Sequence, residues 1–238
     1  MDDYEKLVRN ELHLWKLEML RKPAMTSRVA KGLQNKMNAI IPDKAHQIIT
    51  QSIKQMVRAV LFGSEKITSE PLKNRSLKIR DLKAKEKIDL YKKIAMASGW
   101  GTGAGGLFLG MADFPILLSI KMKFLYEIAA IYGYDVSAYK ERLFVLYVFQ
   151  LAFSSQEKRK PVYEIITHWE DYQKTLPDHE DVFDWKTFQQ EYRDYIDVAK
   201  MLQLVPVIGA AVGAYTNAKL LRQLGHVAMQ AYRHRILG

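Results

Sequence analysis

The sequence predicts an all-α protein: a single compact multi-helix domain with two glycine-rich helical hairpins and basic N-terminal helices. Three observations predict it. Apolar residues recur at mixed three- and four-residue spacings along most of the chain, the period of a helix with one buried face. No Val/Ile/Thr-rich run alternates with period two, which leaves no claim for strands. Proline or glycine stands where most of the periodic stretches stop, as helix ends require.

Residues 3–21 place Tyr4, Leu7, Val8, Leu12, Trp15 and Met19 on helical spacing before Pro23. A second helix is expected from Thr26 to Ile41, stopped by Pro42. A third opens on Asp43, carries Ile48, Ile49, Met56, Val57, Val60 and Leu61, and closes at Gly63. Residues 64–75 read as a loop. From Ser76 to Ala97 the chain is helical and crowded with cations: Lys78, Arg80, Lys83, Lys85, Lys87, Lys92 and Lys93 interleave with Leu77, Ile79, Leu82, Ile88, Leu90 and Tyr91. This basic amphipathic helix leads into Ser98-Gly-Trp-Gly-Thr-Gly-Ala-Gly-Gly106. Helical spacing resumes over Phe114–Tyr132, with Gly133 as a C-terminal cap. Ser137 is the expected N-cap of a helix over 138–155. Two further helices, 162–176 and 184–204, flank the acidic linker 177–181, and the last segment passes Pro206 and Gly209 and runs helical to Arg235. The expected total is eight to ten helices.

A chain of 238 residues and 27.5 kDa fits one domain over 1–238. Its charge divides it. Residues 1–93 hold 21 Lys or Arg against 11 Asp or Glu, whereas residues 94–238 hold 15 of each. The whole net charge of +10 therefore lies in a basic N-terminal part, joined to a neutral, glycine-punctuated body. That asymmetry points to one segment meeting something anionic. Cysteine is absent, which excludes disulfides, thiolate metal ligands and cysteine nucleophiles. The opening Met1-Asp2-Asp3-Tyr4-Glu5 is acidic where a signal peptide is basic and then apolar, so a reducing cytoplasmic setting is expected.

Two windows lack charge, Ile94–Ala112 and Met201–Ala218, each about 27–29 Å long as helix and so within reach of a bilayer's thickness. Their glycine content argues instead for buried or interfacial hairpins, since each Gly in an aqueous helix costs about 1 kcal/mol relative to Ala. Gly101, Gly103, Gly105, Gly106, Gly110, Gly209 and Gly213 are the expected close-packing positions, several of them four apart. Gly101–Gly106 matches G-x-G-x-x-G, but a Lys-rich helix precedes it where a nucleotide site needs a strand. No Walker A motif, H-E-x-x-H or G-x-S-x-G occurs, so no cofactor or metal is expected. Glu164 with His168, and His179 in the acidic linker, read as solvated clusters. Aromatic residues form no stacking platform among the cations, so nucleic acid is not the expected partner.

Two polar residues stand out. Asp113, set among apolar residues before Phe114-Pro115, is a candidate polar site or the N-cap of the helix that Pro115 opens. Asn217 occupies a comparable place, because Gly209–Asn217 echoes Gly106–Asp113 with the polar residue shifted by one position.

These segments resemble the EcsC family. The resemblance rests on Gly101-Thr-Gly-Ala-Gly-Gly106 with Ala112-Asp113-Phe-Pro115, on Ile128-Ala-Ala-Ile-Tyr-Gly133-Tyr-Asp135, on Val205-Pro-Val-Ile-Gly-Ala-Ala-Val-Gly213-Ala with Asn217, and on Ala231-Tyr-Arg-His-Arg235. Glu11-Leu-His-Leu-Trp15 and Ile41-Pro42 are similar to the Bacillus-type members, and the similarity spans essentially the whole chain. It implies a protein encoded beside the ATPase and membrane subunits of an ABC transporter, in a system that affects protein secretion and processing. It carries no catalytic residues with it. The resulting expectation is an accessory protein, peripheral at the inner face of the cell membrane, with Lys78, Arg80, Lys83, Lys85, Lys87, Lys92 and Lys93 towards anionic headgroups. The alternative is a hydrolase or lipid-modifying enzyme with an apolar pocket around Asp113.

Overall fold

The computed structural model describes residues 2–21, 43–62, 70–102, 114–179 and 210–238, with the single positions 184, 188 and 196; of 43–46, 62, 98–102 and 210–213 it describes the backbone alone. Eight helices are found among the described residues: α1 (Asp3–Leu20), α2 (Asp43–Phe62), α3 (Leu77–Thr102), α4 (Phe114–Tyr132), α5 (Tyr139–Phe153), α6 (Arg159–Thr167), α7 (Trp169–Thr175) and α8 (Ala210–Leu237). The β-structure among the described residues is one isolated bridge, Ser154 to Ile196. The expected helix over 26–41, most of the one over 184–204, and most of both glycine-rich segments lie outside the described residues.

α8 is the axis of the molecule. Leu221, Leu224, Ala228, Ala231 and Tyr232 are fully buried along it, and it packs lengthwise on α3 and against α1, α4 and α5. Gly225 permits a close approach to two of them, because a Cβ there would stand 2.5 Å from Ile88 of α3 and 3.2 Å from Phe124 of α4. α3 runs antiparallel to α8, pairing Ile88 with Gly225 and Asp81 with Arg233. α5 is buried on every side from Arg142 to Phe153, as expected of a helix that is apolar all round. It is enclosed by α2, α6 and α8, with Trp169 of α7 edge-on to Phe144 at 5.1 Å.

Several ends are set by local chemistry. α4 closes in a Schellman motif: Gly133 adopts φ 93°, Tyr134 N–H donates to Ala129 O, and Gly133 N–H to Ala130 O, so the cap expected there is present. Arg80 reinforces it by donating to Ile131 O at 3.1 Å. The start of α5 differs from expectation. Ala138, not Ser137, is the N-cap, because Ser137 N–H is already held by Asp135 Oδ1 at 2.9 Å in a turn one residue earlier. The helix expected over 162–176 is two. At His168 (φ −111°, ψ 30°) the imidazole Nδ1 lies 2.9 Å from Glu164 O and Thr167 Oγ1 donates to Tyr163 O. Side chains that bond their own helix's carbonyls compete with its continuation, and the break turns Trp169 into the core.

Candidate functional site

α3 presents apolar residues on two opposite faces. Leu77, Ala84, Tyr91 and Ala95 face the core, with Ile88 packed against it. Ile79, Leu82 and Leu90 point outward at 39%, 54% and 47% exposure, and Ile94 and Met96 continue the exposed surface. Helical spacing puts lysines along both edges of this stripe, with Lys83 on one side and Lys78 and Lys85 on the other. Lys93 lies within it.

The seven cations expected at a membrane surface divide into two sets. Arg80 donates to Arg75 O and Ile131 O, Lys87 pairs with Glu127 at 2.7 Å, and Lys92 pairs with Asp89 at 2.9 Å. Lys78, Lys83, Lys85 and Lys93 carry no ion pair among the described residues, and all four are exposed. Beside the stripe, a groove of about 410 Å³ runs between α1, α3 and α8, lined by Leu14, Trp15, Glu18, Lys85 and His226 among others. α1 adds its own exposed Leu7, Leu14 and Leu17.

Below the groove lies a buried ionic knot that the sequence reading did not single out. Asp81, fully buried on α3, accepts from Arg233 Nε at 3.1 and 3.0 Å and from Nη2 at 2.8 Å. Tyr4 OH donates to it at 2.6 Å, and Tyr132 OH donates to its other oxygen. Arg233 Nη1 reaches Glu11 at 2.6 Å. Burial and the Asp81 carboxylate push the Tyr4 hydroxyl up to about 12. The signal was present in the stripe Leu77, Asp81, Ala84, Ile88, Tyr91: a carboxylate at core spacing must find partners. Two residues along α8 from Arg233, Arg235 makes a second clamp, bidentate to Glu141 at 2.6 and 2.9 Å, paired with Glu170 at 3.0 Å and stacked 3.9 Å over Tyr134. Asp81, Arg233 and Arg235 direct their polar atoms to partners within the fold, while Glu11 and Glu170 keep one side towards solvent.

Of the two polar residues singled out in the sequence, Asp113 lies outside the described residues. Asn217 is fully buried on α8, and both its Oδ1 and its Nδ2 are without a hydrogen-bond partner. A further buried polar residue was missed. Lys121 of α4 is 1% exposed, and burial alone pulls its amine down to about 8. Gly101 falls at the end of α3 and Gly213 at the start of α8, while Gly103, Gly105, Gly106, Gly110 and Gly209 are outside the described residues. Among the described residues no group of His, Asp and Glu is arranged to hold a metal ion, and no helix is long and apolar enough to cross a membrane.

The model of the EcsC protein family matches residues 6–237. Protein EcsC of Bacillus subtilis (strain 168) is 48% identical over 238 residues, covering 100% of this chain and 98% of that protein. The uncharacterized protein YdbA of the same organism is 26% identical over 189 residues, 79% of this chain and 68% of YdbA. No solved structure matches the chain. With nearly its whole length matched by the family and almost half of its residues shared with one member, the chain belongs to the EcsC protein family.

Proposed function

We propose that this chain is an accessory protein that settles on an anionic membrane surface through the outward face of α3, beside the ATPase and membrane subunits of an ABC transporter. The observation that carries the reading is the outward stripe of Ile79, Leu82, Leu90 and Ile94, accompanied by four exposed lysines that make no ion pair among the described residues. An apolar strip edged by lysines suits a bilayer interface, because the stems lie along the apolar boundary while the ammonium groups reach the headgroups. Each such cation near an anionic leaflet contributes about 1 kcal/mol. The transporter setting comes from the family resemblance, and an effect on protein secretion and processing would then be indirect, through that assembly.

Co-sedimentation with phosphatidylglycerol vesicles tests it. Binding is expected at low salt, with little at 1 M salt or on phosphatidylcholine. Reversing Lys83, Lys85 and Lys93 to Glu weakens binding by at least about a hundredfold, three cations at roughly fivefold each being the scale. Leu82→Ser with Leu90→Ser weakens it at all salt concentrations. No binding at low salt, or binding indifferent to both sets of changes, overturns the surface role. Co-purification with the transporter subunits from membranes tests the partner separately.

A further inference from the structure

Lys121 and Asn217 lie on facing stripes of two neighbouring helices. Lys121 lies on the stripe of α4 that includes Phe124, Ile128 and Tyr132, and Asn217 on the stripe of α8 that includes Leu221, Gly225, Ala228 and Tyr232, both at three- and four-residue spacing. The two stripes face each other. Phe124 comes within 3.2 Å of where a Gly225 Cβ would stand, and Tyr132 stacks on Tyr232 with centroids 5.5 Å apart and planes at 12°. Each contact joins residues about 100 positions apart, so α4 and α8 run parallel in constant register. Stepping back two turns sets Asn217 level with Leu117, one turn before Lys121. A helical side chain leans towards its own N-terminus, and a lysine stem reaches about one turn, roughly 5.4 Å. The ammonium is thereby brought to the level of the amide.

Leu117 and Leu118 on the same stretch of α4, and Ala214, Ala218 and Leu221 on that of α8, are buried and apolar. Among the described residues neither amide atom of Asn217 has a partner and Lys121 has no ion pair. Buried polar groups in native proteins are nearly always satisfied, so the Asn217 amide offers a donor and an acceptor for complementary chemistry, on a face that looks towards the helix carrying the Lys121 ammonium. A single buried cation in apolar surroundings calls for a single negative charge. The amide oxygen calls in addition for a donor on the same ligand. A monoanionic phosphate group, dihydrogen phosphate or a phosphomonoester with one proton, supplies both: its oxygens accept from Lys121 and from Asn217 Nδ2, and its P–OH donates to Asn217 Oδ1. A carboxylate supplies the charge without the donor.

We propose that Lys121 and Asn217 form a buried binding site for a singly charged phosphate group, carried by a free ion or by a phosphomonoester lipid.

The test titrates the full-length protein, in phosphate-free buffer at constant ionic strength, with inorganic phosphate, dihexanoyl phosphatidic acid and octanoate, read by calorimetry and thermal shift. One saturable site is expected for a phosphate probe. Equal affinity for both phosphate probes identifies the free ion, and preference for the lipid identifies the monoester. Lys121→Met and Asn217→Leu each lower that affinity at least tenfold while the helical circular dichroism is kept. On the unaltered chain, the bound probe slows acylation of Lys121 by mass spectrometry but not that of exposed Lys83. The proposal is overturned if neither phosphate probe binds, if the variants bind as the parent does, if Lys121 is not protected, or if octanoate binds as tightly as phosphate. It is also overturned by a crystal structure with phosphate that shows only water between the two side chains.

Discussion

Lys121 illustrates how one side chain can set the pH response of a fold. Its amine titrates near 8 in the folded protein against 10.5 ordinarily, and burial is the cause. Below pH 8 both states carry the proton, and the folded state bears the full penalty of a charge held away from water. Between pH 8 and 10.5 the unfolded chain binds more protons than the folded one, so stability rises with pH across that window and the penalty fades. The size is on the order of 3 kcal/mol. Lys121→Met removes it and is expected to stabilise the ligand-free protein at pH 7 by about 2–3 kcal/mol. Urea unfolding of both proteins at pH 7 and pH 10 checks this: their difference in stability should shrink at the higher pH. A difference that is constant with pH would mean that Lys121 is solvated. The sequence already held the clue, since Lys121 sits at core spacing between Leu118 and Leu125. What it did not show is that no carboxylate among the described residues pairs with it.

At the scale of the element, the chain was most legible where one residue decides the outcome. α4 spans Phe114–Tyr132 as the periodicity predicts, because its apolar spacing is unbroken and Gly133 alone supplies the left-handed cap. A Cβ at Gly133 faces two penalties, about 1–2 kcal/mol for left-handed φ and a position 2.5 Å from Arg80 Nη1. Gly133→Ala is therefore expected to destabilise by about 2–3 kcal/mol in thermal or urea unfolding. A loss below 0.5 kcal/mol would show that the cap re-forms without glycine. Legibility failed where two local bonds compete. At Ser137 the choice of cap went to a turn made by Asp135, and at His168 side-chain bonds to the helix's own carbonyls divided one helix into two. α3 misled in another way. Its cations and apolar residues interleave, which reads as one basic face and one buried face. In three dimensions Leu82 and Leu90 face out and Asp81 faces in, and composition does not tell these apart. The candidate surface was thus legible as a segment but not as a pattern of paired and unpaired lysines.

The whole molecule is joined through the Asp81 knot, where α1, α3, α4 and α8 each contribute a side chain: Tyr4 and Glu11, Asp81, Tyr132, Arg233. Removing one partner leaves the other charge buried and alone. Asp81→Asn or Arg233→Met is expected to destabilise by about 3–5 kcal/mol, and the joint replacement Asp81→Leu with Arg233→Met by clearly less than the two single losses added together. A double-mutant cycle by urea denaturation measures the coupling, and strict additivity would contradict the knot. The all-α class and the single helical body were readable from periodicity. The knot was not, because it closes across elements far apart in the chain.

That separation has a consequence during synthesis. Asp81 and Arg233 are 152 positions apart, so at 5–20 residues per second the α3 carboxylate and its apolar inner stripe leave the ribosome roughly 8–30 s before α8 exists to cover them. For that interval the nascent chain shows both apolar faces of α3, the permanent outer one and the inner one that α8 later hides. A chaperone or a nearby bilayer meets a more adhesive helix on the growing chain than on the finished protein.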